Sequence, residues 1–228
     1  MKDILMILPT RGRPEKVRAT IESWQRTTEG RSKLLVCIDR DDPALNDYSK
    51  TLSDYNGIEV SMAQERLRMC PRLNKEALDY MQDFKYIGFL GDDHVFRTRW
   101  ETKMTKVIGE WGIAYGDDLL AHEDLPTACL MSSNIIRLLG RMTLPDQIHL
   151  FLDNYWKALG EGMGRLIYLP DVIIEHMHRV NGKSPSDAQY DEVNSGTVLA
   201  HDQAVFTLWH DGGQREADIA KLKEAMDA

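Results

Sequence analysis

The sequence predicts an α/β fold, an open, mainly parallel twisted sheet flanked by helices. Short apolar runs alternate along the chain with segments whose apolar residues recur at helical spacing, the order that builds a parallel sheet with crossover helices. Several runs are continuous rather than alternating, as strands covered on both faces require. A third observation concerns where the runs stop. Three of them end in polar clusters, at Thr10-Arg11-Gly12-Arg13, at Asp39 and at Asp92-Asp93-His94.

Ile4 to Leu8 is the first run, stopped by Pro9 to Pro14. A helix begins near Pro14, where proline at the first helical position sacrifices no hydrogen bond, and Val17, Ile21 and Trp24 mark its apolar stripe. Leu34 to Ile38 and Ile58 to Met62 are the second and third strands. Leu73, Ala77, Leu78 and Met81 mark a helix leading into the fourth strand, Tyr86 to Leu90. Trp100, Met104, Val107, Ile108 and Trp111 form the next helical stripe. The second half is less regular. Ile113 to Tyr115 and Ala128 to Met131 read as short strands, and Ile135 to Leu139 as a short helix ended by Gly140. A further helix spans Phe151 to Leu159 and ends at Gly160, followed by strands at Leu166 to Leu169 and Val172 to Ile174. Val180 to Gly196, rich in Gly, Ser, Asn and Asp, reads as one long loop of the kind that serves as a lid or binding element. Helices near Gln203 to Trp209 and Glu216 to Met226 close the chain.

A chain of 228 residues can bury a substantial core, and one large domain is expected. The formal charge of -8 argues against indiscriminate binding to nucleic acid, while the arginines near the polar clusters leave room for a local basic groove. Cys37, Cys70 and Cys129 are odd in number, widely spaced and free of metal-type pairing, which argues against a disulfide framework and makes a reducing cytoplasm the expected location. The apolar run after Met1-Lys2-Asp3 is too short for a signal peptide, and no window approaches the roughly 20 apolar residues that span a bilayer.

In open α/β sheets ligands sit outside the carboxyl ends of the strands, so the three polar clusters are expected to face one crevice. Oxygen and imidazole donors there suit a divalent cation held against a diphosphate, and guanidinium groups match phosphate geometry. For Asp92-Asp93-His94 the competing explanation is a polar turn that caps the strand. Convergence with two other clusters favours a site.

The order and spacing of Ile7-Leu8-Pro9-Thr10-Arg11-Gly12-Arg13-Pro14, Cys37-Ile38-Asp39 and Phe89-Leu90-Gly91-Asp92-Asp93-His94 resemble the family 2 type glycosyltransferases of the GT-A fold. The resemblance runs from about Ile4 to His178. Gly91-Asp92-Asp93-His94, Tyr115-Gly116-Asp117-Asp118, His149 to Trp156 and Glu175-His176-Met177-His178 look like a branch found in bacteria and their phages, which would place the protein in a host cytoplasm if it is phage-encoded. The family implies a GT-A catalytic domain over residues 1–178, with 179–228 as an acceptor-side loop and C-terminal helices packed on the same domain. It also implies a nucleotide-diphosphate sugar as donor.

The usual third acidic position of the family is His94 here. Imidazole favours transition-type ions, so Mn2+ is expected ahead of Mg2+, with Asp92 and His94 as ligands and Asp93 either contacting ribose or sharing the metal. His176 and His178 alternate on a strand-like segment and so share a face. The resemblance makes His176 the first choice, and His178 the second, for a late metal-binding histidine. It assigns Pro9, Thr10, Arg11 and Arg13 to nucleobase and ribose, and Asp39 to the base, where a carboxylate suits the N3–H of uracil and favours a UDP-sugar. Arg68 and Arg72 precede the helix into the metal strand and are expected to reach the diphosphate. Asp117 and Asp118 are expected at donor-sugar hydroxyls, with a polar turn as the alternative. Asp153 is the expected base of an inverting transfer. His149, four residues earlier on the same helical face, either orients it or substitutes for it.

The acceptor is open among a glycan, a virion protein and a modified DNA base, and the oligomeric state is unresolved. Two rival readings are a sugar nucleotidyltransferase, disfavoured by the lack of a glycine-rich phosphate loop after the first strand, and a non-catalytic carbohydrate-binding module of the same fold.

Overall fold

In strand β1 (Ile4–Pro9) successive side chains point to opposite faces, and both faces are covered. Ile4, Met6 and Leu8 enter one apolar cluster, Leu5 and Ile7 another, so the sheet lies between two helical layers. The computed structural model describes residues 2–228, and Met1 lies outside them. After β1 come α1 (Pro14–Thr27), β2 (Ser32–Asp39), α2 (Leu45–Ser53), β3 (Ile58–Ala63), α3 (Met69–Tyr80), β4 (Tyr86–Phe89), β5 (His94–Phe96) and α4 (Glu101–Ile108). The second half adds β6 (Ile113–Asp117), β7 (Cys129–Ser132), α5 (Ser133–Leu139), α6 (Leu152–Met163), β8 (Leu166–His176), α7 (Ala188–Val193), α8 (Gly196–Asp211) and α9 (Gln214–Asp227).

Among the described residues eight strands form one curled sheet in the order β3-β2-β1-β4-β7-β6-β8-β5. β1 is parallel to both β2 and β4. The chain winds outward from β1 to β3 and returns to β4 on the other side of β1. That reversal creates a crevice at the carboxyl ends of these strands. β7 runs antiparallel between β4 and β6, and β5 pairs antiparallel with β8.

The expected core strands and their order are present, and four local readings are corrected. Gly160 does not end α6, which runs to Met163 and stops at Gly164 in the left-handed conformation. Gly160 lies against Leu166, where a Cβ would come within 3.0 Å, so close packing rather than termination accounts for it. The strands read at Leu166 to Leu169 and Val172 to Ile174 are one strand, β8, whose register against β6 shifts between Gly116 and Asp117. Val180 to Gly196 is not one loop: it contains α7, whose N-cap Asp187 accepts from the Tyr190 N–H, and it reaches the start of α8, capped by Ser195. Trp111 falls outside α4 because Gly109, at φ 61°, turns the chain. No helix is long and apolar enough to cross a membrane among the described residues.

Candidate active site

The carboxyl ends of β1, β2 and β4 open onto a cleft of about 250 Å³. Pro9, Thr10, Arg11 and Arg13 line it from the loop after β1, Asp39 from the end of β2, and Asp92, Asp93 and His94 from the turn between β4 and β5. Arg68 and Arg72 face it from the start of α3, His149 and Asp153 from the approach to α6 and its first turn, and His176 and His178 from the end of β8 and beyond. Asp117 and Asp118 do not line it.

The β5–β8 register sets His94 directly opposite His176, and their rings stack 4.3 Å apart at 16°. Asp93 Oδ1 is 3.5 Å from His94 Nδ1 and 3.5 Å from His176 Nε2. One ligand atom from each of Asp93, His94 and His176 lies within 4.8 Å of the others. The Gly91 N–H donates to His94 Nδ1 at 3.1 Å, and a Cβ on Gly91 would come within 2.7 Å of that nitrogen and 2.8 Å of Asp93 Oδ1. Burial pushes the His94 pKa down to about 3, so its ring is neutral. Burial acts to raise the Asp93 pKa, but the contact with His176 and the charge of Arg13 outweigh it and hold the carboxyl below its ordinary range.

His94 Nε2 and His176 Nδ1 are buried without a hydrogen-bond partner. They are the ring nitrogens other than those that face Asp93, so the fit to a borderline cation of the Mn2+ type rests on the donor set itself, one carboxylate and two imidazoles whose ligand atoms lie close together. His178 stands next to His176, ring centroids 4.8 Å apart, and its Nδ1 accepts from the Val180 N–H. It does not belong to the three-residue group.

Asp92 turns the other way. Its carboxylate accepts from Thr10 Oγ1 at 2.7 Å and from Arg13 Nη1 at 3.1 Å, and burial raises its pKa to about 6 against the pull of Arg13. It ties the loop after β1 to the turn after β4.

Arg13 also donates to Asp187 at 2.6 Å, and Lys16 donates to the same carboxylate at 2.9 Å. Arg66 and Arg68 both pair with Glu192. Arg66, Gln189, Tyr190 and Asn194 line the cleft as well, and sequence reasoning passed over all four. Asp187, a residue type that caps helix starts, was a readable signal for the short helix that carries Gln189 and Tyr190. Arg72 is buried, 3.5 Å from Asp39, and is engaged by Glu76 and Ser61. Its guanidinium braces the end of β2. Arg11 pairs with Asp41 at 2.9 Å and lies 3.7 Å from Asp39.

Asp153 sits in the first turn of α6, and burial raises its pKa. His149 is not on that helix: α6 begins at Leu152, and Phe151 before it has φ 64°, so a shared helical face is replaced by a turn. Asp118 accepts three backbone N–H bonds, from Leu120, Ala121 and His122, together with one from Thr127 Oγ1. Asp117 accepts from the Leu119 N–H and lies 2.9 Å from His122 Nδ1. Both carboxylates hold the polar turn that the sequence offered as their alternative role.

No protein-family model matches the chain, and no curated protein sequence does. Solved structures do. The mannosyltransferase PcManGT from Pyrobaculum calidifontis, in complex with GDP-Man and Mn2+, aligns over 99% of this chain and 74% of its own, with a TM-score of 0.58 at 10% identity. TarS 1-349 from S. aureus in complex with UDP-GlcNAc aligns over 91% of this chain and 71% of its own, with a TM-score of 0.57 at 13% identity. The fold is the GT-A fold of nucleotide-diphospho-sugar transferases. A third GT-A structure is glucosyl-3-phosphoglycerate synthase from Mycobacterium tuberculosis in complex with Mn2+, UDP and phosphoglyceric acid. It covers 90% of this chain and 78% of its own, with a TM-score of 0.53 at 10% identity. At such identities the likeness concerns the GT-A fold alone, and the chemistry rests on the residues of this chain.

Proposed function

We propose that the protein is a metal-dependent, inverting glycosyltransferase that moves a sugar from a nucleotide-diphosphate sugar, a UDP-sugar ahead of others, to a hydroxyl acceptor. The observation that carries the reading is the meeting of Asp93, His94 and His176 beside a line of arginines in the switch-point cleft of a GT-A sheet. Those three residues would hold Mn2+, with His178 adjacent. A bound cation supplies positive charge against the leaving diphosphate. Asp92 is assigned to bracing Arg13 and Thr10 rather than to the metal.

Arg13, Arg66 and Arg68 receive the diphosphate, for which guanidinium is a planar, multiply donating partner. Pro9, Thr10, Arg11 and Asp39 form the nucleoside end. Asp153, whose raised pKa makes it a better proton acceptor than an exposed carboxylate, takes the proton of the acceptor hydroxyl. The acceptor oxygen then bonds to the sugar's anomeric carbon as the bond to the diphosphate breaks on the opposite face. Residues 1–178 are the catalytic portion and 179–228 the acceptor side.

The test is a panel of UDP-, GDP- and TDP-sugars with and without Mn2+, read by thermal shift and by release of nucleoside diphosphate. A stabilising, metal-dependent donor is expected. Asp153→Asn should keep donor binding and lose release by on the order of 100-fold or more. A chain that binds no donor under any condition is not such an enzyme.

A further inference from the structure

The turn that delivers Asp153 to the cleft is held from another element. Residues 148–153 line the cleft consecutively and enter α6 through the left-handed Phe151. The backbone N–H groups of Ile148, His149 and Leu150 all donate to one carboxylate, that of Asp202 in α8, at 2.8, 2.8 and 2.7 Å. Asp202 is fully buried, and His201 Nδ1 lies 2.9 Å from its Oδ1. One helical turn further along α8, Phe206 stacks on Phe151, ring centroids 5.7 Å apart at 17°. Residues four apart share a helix face, so α8 grips this turn by its backbone and by its side chain at once.

An ionised carboxylate offers two oxygens and no hydrogen, which makes it the side chain suited to three neighbouring N–H donors. The carbonyl side of the same turn is tied separately. Ile148 O accepts from the Cys70 N–H at 3.2 Å, and Leu150 O from Gln147 Nε2 at 3.1 Å. Asp202 itself does not line the cleft.

We propose that Asp202 is a positioning residue for Asp153: with Phe206 it locks the Ile148–Phe151 turn and so sets where the Asp153 carboxylate stands against the acceptor hydroxyl. The proposal rests on the transferase reading of the cleft. It adds to that reading a role for the C-terminal helices in the chemical step.

Asp202→Asn keeps the size of the side chain but turns an NH2 group toward N–H donors, so at least one amide loses its partner. The expected result is a kcat lower by on the order of 10- to 100-fold, from a shift of the base of an ångström or less, with donor KM changed by less than about threefold. Hydrogen exchange should quicken at the amides of residues 148–150 and stay unchanged in β1, β2 and β4. The double variant Asp153→Asn/Asp202→Asn should be no slower than Asp153→Asn alone, since both act on one group. Phe206→Leu, a milder change, should move kcat in the same direction and serves if Asp202→Asn does not fold.

A wild-type kcat in Asp202→Asn overturns the proposal, as does a fully additive double variant. So does a kcat loss accompanied by faster exchange throughout the sheet, if Phe206→Leu then leaves kcat unchanged. Failure of the transferase reading is seen elsewhere, as wild-type protein that turns over no nucleotide sugar.

Discussion

At Gly91 a single methyl group decides whether the proposed metal-ligating group can assemble. A Cβ there would meet the His94 imidazole and the Asp93 carboxylate at less than 3 Å, and neither is a flexible end that can swing away without leaving the group. Gly91→Ala should therefore weaken Mn2+ binding by about 10- to 100-fold, the range typical of disturbing the support of a metal ligand. Asp93→Asn should weaken it at least as much, and Asp92→Asn less, because Asp92 faces Thr10 and Arg13. Titration calorimetry with Mn2+ measures all three. If Asp92→Asn is the most damaging, the proposed ligand set is wrong. Much of this cluster was legible in the sequence, since an apolar strand running into Asp92-Asp93-His94 marks a strand-end site. Which aspartate faces which way was not legible. Past the last residue of β4 the chain turns, and side-chain direction there follows from turn dihedral angles rather than from strand alternation. The pairing of His94 with His176 depends on a register between distant strands, which local pattern does not encode.

Between elements, the segment from His178 to Ser195 is bound to the cleft chiefly through charge. Asp187 holds Arg13 and Lys16, Glu192 holds Arg66 and Arg68, and Val193 is the only buried residue of α7. These pairs are partly exposed, and exposed ion pairs contribute only about 0–1 kcal/mol each and weaken with salt. Raising NaCl to roughly 0.5 M, where the screening length falls to a few ångströms, should speed tryptic cleavage at Arg179 and Lys183. Asp187→Asn/Glu192→Gln should do so at low salt. Cleavage that is insensitive to both would mean that apolar contacts hold the segment. The Gly, Ser and Asn content of 180–196 suggested a segment of the lid type, and Gln189, Tyr190 and Asn194 do line the cleft, yet that composition concealed α7. Six residues make less than two helical turns and carry no stripe, and only the caps at Asp187 and Ser195 signal the helix ends.

Across the whole molecule, the C-terminal helices belong to the same core as the sheet. Trp209 and Leu222 are buried in one cluster with Leu5, Ile87 and Trp156, and Trp209 packs edge-on against Tyr155 in α6 at 4.7 Å. Leu222→Ala should cost about 2–5 kcal/mol in urea unfolding, as for other fully buried leucines. A smaller loss would show α9 to be loosely attached. Global stability also depends on pH through His149, a half-buried residue of the cleft turn that α8 holds. Burial pushes its pKa down to about 4, whereas in an unfolded chain it titrates near 6.5. Below about pH 6.5 the unfolded state binds a proton that the folded state refuses, so this group's contribution is fully present above that pH and is lost as pH falls toward about 4. Asp92, raised to about 6, acts in the opposite sense at lower pH, because its folded form takes up a proton before an unfolded carboxyl does. A wild-type profile therefore mixes these with the other shifted groups, His94 and Asp153 among them. His149→Gln removes one of them: the stability of wild type relative to the variant should be constant above about pH 6.5 and fall steadily between about pH 6.5 and 4. Urea midpoints collected over that range decide it. Parallel curves for the two proteins would mean that His149 titrates in the folded protein as it does in the open chain, and that the turn held by Asp202 is more accessible to water than its contacts imply.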